Sequence, residues 1–179
     1  MRKIIRKWFW VWEFDKEERW LNEMAAQGLA LVGTGFCKYE FEPCAPGEYQ
    51  VRLELLENQP CHAESRKYIG FIEETGAEQV GTFMRWVYFR KKTADGPFDL
   101  FSDLESRIKH LKRIIALILP ISLANLAIGL VNVGNSFSTG IWIAKIGYIN
   151  LTIGALGCVG AWRLLKKRKR LEEEARIFE

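Results

Sequence analysis

Two long apolar stretches decide most of what this chain can fold into. Residues 114–133 contain no Asp, Glu, Lys or Arg, and residues 141–162 contain only Lys145. As helix, each run covers about 30 Å, the thickness of a bilayer's hydrocarbon core. Pro120 lies inside the first run and predicts a kink of the kind membrane helices tolerate. As soluble helices, two consecutive runs of this length would need a far larger domain to cover them than 179 residues supply.

The flanks set an orientation. Arg107, Lys109, Lys112 and Arg113 precede the first run, and Arg163, Lys166, Lys167, Arg168, Lys169 and Arg170 follow the second. The connection 134–140 carries no charge. Basic residues stay inside, so the expected topology is a two-pass hairpin in the inner (plasma) membrane with both termini cytoplasmic. Trp142 and Trp162 then fall at opposite interfaces, and Lys145 is one turn from the outer end, where its stem can snorkel. A functional intramembrane lysine is the sharper alternative. Ser122, Asn125, Gly129, Asn132 and Ser136, and Gly147, Asn150, Gly154, Gly157 and Ala161, recur every three or four residues. These are seams of small and polar residues suited to close helix packing, with Asn125 and Asn150 expected at one depth and able to pair.

Outside the hairpin the chain is acidic. Residues 1–106 hold 14 Lys+Arg against 18 Asp+Glu, net −4, while residues 107–179 hold 12 against 4, net +8. An acidic soluble part repels phosphates, so nucleic-acid binding is not expected. Cys37, Cys44 and Cys61 are an odd set in the soluble part, with no Cys-x-x-Cys, and read as free thiols rather than a disulfide framework or a zinc site. Arg2, Lys3, Arg6 and Lys7 resemble a signal-peptide n-region, but only Trp8–Trp12 follows before Glu13 and Asp15, which is too short an apolar stretch.

The soluble part reads as alternating strands and capped helices. Strands are expected at 4–14, 30–32, 36–42, 48–55, 78–82 and 84–90, with helices from an Asp15/Glu18 cap to Gly28 and over 64–75 before Gly76. Trp20, Gly28, Val32, Gly33, Thr34 and Phe41 match Tyr68, Gly76, Val80, Gly81, Thr82 and Phe89 at a constant offset of 48. The expected fold is therefore α+β. Tandem strand–helix–strand–strand repeats form a mostly antiparallel sheet with two helices on one face, followed by the transmembrane α-hairpin. The domain plan is a cytoplasmic domain at 1–92, a linker at 93–106, the hairpin with its basic flanks at 107–170 and a charged tail at 171–179.

On the last strand Val87 and Phe89 follow the inward set, so Trp86 and Tyr88 point the other way. The first strand is aromatic on both sides. An apolar aromatic patch of Trp8, Trp10, Trp12, Trp86 and Tyr88, beside Lys38 and Arg52, is therefore expected on the helix-free side of the sheet. Its candidate occupants are a small hydrophobic ligand, a protein partner, a homodimer mate or the membrane-proximal segment. No catalytic constellation stands out: the two histidines, His62 and His110, lie in a loop and in the basic flank. Neither catalysis nor a cofactor or metal is expected.

Trp8-Phe9-Trp10-Val11-Trp12-Glu13, Glu18-x-Trp20-Leu21-Asn22-Glu23-Met24-Ala25, Gly28, Tyr39-x-Phe41-Glu42, Pro46-Gly47-Glu48-Tyr49 and Trp86-x-Tyr88-Phe89-Arg90 together resemble the bacterial domain of unknown function 2812 family over roughly residues 5–92. The resemblance implies a regulatory or envelope-related role alongside a PadR-type repressor, and no chemistry. The repeat order is also similar to effector-binding domains of the gyrase-inhibitor type, an analogy of fold alone. The expectation is a membrane-anchored sensing or regulatory protein acting through the aromatic patch. The alternative is a structural or adaptor subunit acting through Asn125, Gly129, Gly147, Asn150 and Gly154 on the hairpin seam.

Overall fold

The computed structural model describes residues 2–101, 103–135 and 141–177, and the chain divides into two compact units, Met1–Ser102 and Asp103–Glu179. The first unit is α+β and runs β1 (Lys3–Arg6), α1 (Phe14–Ala26), β2 (Leu29–Gly35), β3 (Lys38–Pro43), β4 (Tyr49–Leu55), α2 (Ala63–Glu74), β5 (Glu78–Phe83) and β6 (Trp86–Lys92). The strands form two three-stranded antiparallel sheets, ordered β1-β3-β2 and β4-β6-β5.

The two halves share one topology, and the offset seen in the sequence recurs in the backbone. Each helix runs into a glycine in the left-handed region, Gly28 (φ 81) and Gly76 (φ 87), where a side chain would be strained. Each second strand is bulged at the same place, between Leu31 and Gly33 and between Gln79 and Gly81. The shared Val-Gly-Thr is this bulge. At Gly81 the two repeats approach: a Cβ there would lie 2.9 Å from the Thr34 backbone nitrogen. Arg90 Nη1 also donates to the Leu31 carbonyl at 3.1 Å.

Each helix packs on its own sheet. Trp20 of α1 meets the rings of Tyr39 (5.0 Å) and Phe41 (5.8 Å) on β3, and Leu21 and Leu31 are fully buried beside them. Ile69 and Ile72 of α2 pack with Val87 and Phe89 of β6 and with Leu56 and Ala77.

Several boundaries differ from those expected. The first strand ends at Arg6, and residues 11–13 form a 3-10 turn, so Trp8–Trp12 is not strand. Asp15 lies within the first turn of α1 rather than capping it, and in the 3-10 turn that precedes α1 Glu13 Oε2 accepts the Trp10 N–H at 3.5 Å. The stretch expected as a linker is partly core: Phe98 is buried in the α2 cluster and its N–H donates to Gln50 Oε1 at 3.3 Å.

The second unit consists of α3 (Leu104–Gly134) and α4 (Ile141–Ile177). Helix continues through the expected tail, supported by the i,i+4 pairs Arg168–Glu172 (3.3 Å) and Lys169–Glu173 (3.9 Å). Both helices are long and apolar enough to cross a membrane, and most of each apolar window is not buried within the protein. Ile121, Leu130, Val131, Tyr148, Ile149 and Ile153 are among the large apolar side chains left exposed. Helices buried in a soluble core do not present such surfaces to water. Their length and apolar surface associate this unit with a membrane.

Candidate functional site

The patch expected around Trp86 and Tyr88 is not exposed. Both side chains are buried, at 8% and 6% exposure. Trp86 packs on Phe14 of α1 at 5.9 Å. The Tyr88 hydroxyl donates to Glu17 Oε1 of α1 at 2.7 Å, and the Tyr39 hydroxyl donates to the same oxygen at 2.7 Å. The side of β6 expected to be bare is thus covered by α1, which serves its own sheet and closes over the neighbouring one. Burial pushes the Glu17 carboxyl above the usual carboxylate range, and the two phenol bonds oppose that shift. Burial and the Glu17 charge raise both phenols, so they remain donors.

The other half of the expected patch holds together. Trp8 and Trp10 make an edge contact at 5.5 Å, and Trp10 stacks on Trp12 at 5.0 Å with the planes 6° apart. Trp8 meets Phe36 at 5.8 Å, and Phe36 meets Phe83 at 5.8 Å. This continuous row of rings joins the segment after β1 to the β2–β3 and β5–β6 turns. Next to Phe83, Met84 is 70% exposed; Phe36 is 68% and Trp8 54% exposed. Cys37 (φ 51) and Met84 (φ 56) hold left-handed backbone in those two turns, which turns the chain sharply at their tips.

Lys38 and Arg52 do not join this row as free charges. Lys38 pairs with Glu40 at 2.6 Å. Arg52 lies 3.6 Å from Glu18, and its guanidinium donates to the Val51 carbonyl at 3.0 Å. Glu18 belongs to a device that closes the outer edge of β4. The Asn22 side-chain amide donates to the Val51 carbonyl and accepts the Val51 N–H, both at 2.9 Å. Glu18 Oε2 accepts the Leu53 N–H at 3.2 Å. Helix α1 thereby stands in for a neighbouring strand and blocks edge pairing. Burial raises the Glu18 carboxyl, while Arg52 and the Leu53 N–H lower it.

In the second unit the seam is an internal contact. A Cβ on Gly129 would lie 2.9 Å from the Gly147 carbonyl oxygen, and one on Gly154 would lie 2.8 Å from that of Ser122. Gly147 is as tightly packed, 3.0 Å from the Gly129 carbonyl oxygen. The asparagine pair is not formed. Asn125 Nδ2 donates to the Ile121 carbonyl of its own helix at 2.8 Å, and among the described residues no hydrogen bond joins Asn125 to Asn150. An amide one turn from a carbonyl of its own helix finds that partner first. Ser136, expected on the seam, lies outside the described residues.

Phe36, Phe83, Met84 and Glu17 were not singled out by the sequence reading. The first three sit at turns, where only the fold reveals their neighbours, and Glu17 looks like any solvated helix glutamate. His62, whose loop suggested nothing, caps α2: its Nδ1 accepts the Glu64 N–H at 3.4 Å. The cysteines are free, and among the described residues no three His, Cys, Asp or Glu side chains converge as metal ligands would.

Comparison with known proteins places these features in a family. Searches of curated proteins and of solved structures return no match. The family model described as "Protein of unknown function (DUF2812)" matches residues 13–123. That span takes in both repeats except for β1, with the Glu17 and Asn22 contacts and the first part of α3, and it begins just after Trp12. With well over half of its length matched, this chain belongs to the DUF2812 family.

Proposed function

We propose that this protein is a membrane-anchored regulatory or sensing domain, without catalysis of its own, that works by docking an apolar partner on its exposed aromatic row. In this reading α3 and α4 form a two-pass hairpin in the inner membrane, with the first unit and both termini on the cytoplasmic side. The basic flanks support that orientation. The cation–π contacts of Lys145 with Trp142 (4.4 Å) and Lys166 with Trp162 (5.7 Å) suit residues at two interfaces and support the span, whichever way it runs.

The observation that carries the docking role is the row itself. Trp8, Trp10, Trp12, Phe36 and Phe83 touch in sequence, and Trp8, Trp10, Phe36 and Met84 are exposed, whereas Trp86 and Tyr88 are buried. Exposed apolar patches of this kind mark interaction surfaces, where Trp supplies much of the binding energy. The family resemblance points to a PadR-type repressor pathway as the setting. The adaptor alternative places function on the glycine seam, but that seam is occupied within the hairpin, which favours the aromatic row.

The test is photocrosslinking in the native host, with a photoreactive amino acid at position 36 and, as control, at position 73 on the exposed side of α2. Adducts confined to position 36 are expected. Equal adduct yields at the two positions, or none at position 36, would contradict the docking role.

A further inference from the structure

The outer strands of the two sheets are β1, β2, β4 and β5. β2 and β5 lie alongside each other, with Gly81 close to Thr34. β4 is sealed by Asn22 and Glu18 of α1. β1 holds in the first repeat the place that β4 holds in the second, but the sealing device is not repeated. At the positions of Asn22 and Glu18, 48 residues on, α2 carries Gly70 and Arg66, and Gly70 has no side chain with which to bond an edge. The pairing shows which backbone groups of β1 are left over. Lys7 N–H donates to the Cys37 carbonyl at 3.2 Å, and antiparallel partners alternate between bonded and non-bonded pairs. Back along the register, Ile5–Tyr39 and Lys3–Phe41 are then bonded pairs, so the N–H and C=O of Ile4 and Arg6 point away from β3. The matching bond in the second repeat, Leu56 N–H to the Arg85 carbonyl at 2.9 Å, goes with outward groups at Val51 and Leu53, which α1 takes. Among the described residues Ile4 and Arg6 have no such partner.

The side chains along this edge say what it fits. Ile4 and Arg6 pair with Glu40 and Lys38 on one face of the sheet, and Lys3 and Ile5 pair with Phe41 and Tyr39 on the other. Ile4 is 55% exposed. Lys3 and Arg6 are exposed and make no ion pair among the described residues, whereas Arg2 is held by Glu42 at 2.8 Å and Lys7 lies over the Trp20 ring at 4.5 Å. Cations on opposite faces of one strand do not form a flat patch. They suit another strand, whose side chains alternate between the same two faces. We propose that β1 is a docking edge for an extended acidic segment of a protein partner, which adds a strand beside it through Ile4 and Arg6. Opposite Lys3, Ile4, Ile5 and Arg6 the fitting order is acid, apolar, apolar, acid, and acids three apart on a strand fall on opposite faces. Main-chain bonds then hold the segment and the charges select it. A second copy of β1 is the wrong occupant. Residues 2–7 contain no acid, and a pairing that sets Ile4 against the partner's Ile4 sets Arg2 against the partner's Arg6, a repulsive cross-strand pair. Basic residues thus guard the edge against its own copies while leaving it open to the opposite charge. The inference is independent of the aromatic row.

The test uses the full chain in neutral detergent micelles, with isoleucine labelled at its amide nitrogen and lines assigned by Ile4→Val and Ile5→Val variants. In the free chain the Ile5 amide should exchange slowly with solvent deuterium and the Ile4 amide fast. The probe is the peptide acetyl-Thr-Glu-Val-Val-Glu-Thr-amide, which offers the same order of side chains in either direction. One control peptide has Lys in place of Glu, and the other has both valine amides methylated. The Glu peptide should shift the Ile4 amide and slow its exchange about tenfold near saturation, leaving Ile69 and Ile72 as they were. Neither control should do so. A Lys3→Glu/Arg6→Glu variant with unchanged Ile69 and Ile72 lines should take the Lys peptide in place of the Glu peptide. An Ile4 amide already slow in the free chain overturns the inference. If it is slow at every protein concentration the chain covers its own edge, and if only at high concentration a second copy is the occupant. No response to the Glu peptide, or an equal response to the methylated one, also overturns it.

Discussion

The contrast between Trp8 and Trp86 is the sharpest statement the fold makes about single residues. Alternation along a strand tells which side chains share a side, and it assigns Val87 and Phe89 to one face and Trp86 and Tyr88 to the other. It does not tell what covers either face. The cover comes from α1, through Phe14 and Glu17, residues far away in the chain. Trp86→Ala in a fragment of residues 1–102 is therefore expected to cost about 3–5 kcal/mol. Trp8→Ala should stay within about 0.5 kcal/mol of the parent. Denaturant melts of the two variants check this, and equal losses would place Trp8 in the core as well. Glu17 gives a pH signature. Its folded-state pKa is raised, so the stability it contributes is fully present below the ordinary carboxylate pKa and is lost as pH rises through the folded value. Across that window the parent should lose stability relative to Glu17→Gln, measured as melts from acidic to neutral pH. A difference between the two proteins that does not change with pH would mean that Glu17 titrates normally.

At the scale of elements, the parts of the fold that depend on local chemistry were legible and those that depend on distant partners were not. Gly28 and Gly76 announce helix ends because only glycine takes their backbone angles without strain. The Val-Gly-Thr pair at an offset of 48 residues announces a repeated bulge. By contrast, Trp8–Trp12 has the composition of a strand but no free edge to pair with beyond Arg6, and it leaves the sheet. Asn22 is silent in the sequence, because nothing local says that a helix will seal the edge of β4. The hairpin shows the same division: the glycines of the seam were legible from spacing, while the pairing of Asn125 with Asn150 gave way to a bond within one helix. Gly154→Leu is expected to weaken the hairpin by roughly 1–3 kcal/mol, since its Cβ meets the Ser122 backbone. Ala155→Leu, on the exposed side, should change little. Thermal exposure of the half-buried Cys158 to a thiol-reactive dye in detergent, in a Cys37→Ser/Cys44→Ser/Cys61→Ser background, reads the difference. Similar transitions for the two variants would remove the seam as the packing contact.

For the whole molecule, the long apolar runs and their basic flanks were the strongest signal, because the bilayer constrains length and charge more tightly than water constrains a surface. The docking surface was only half legible: the tryptophans were visible, but the turns that complete it come from both repeats and meet only in the folded unit. Everything proposed about function depends on the first unit facing the cytoplasm from a hairpin that crosses the membrane twice. Labelling with a membrane-impermeant maleimide tests this most directly. It uses two single-cysteine proteins in intact cells, one retaining the exposed Cys61 and one with Ser136→Cys as its sole cysteine. The account predicts that Cys61 reacts only after the cells are permeabilised, while the cysteine at position 136 reacts from outside. Reaction of Cys61 in intact cells, or protection of both positions, would contradict it.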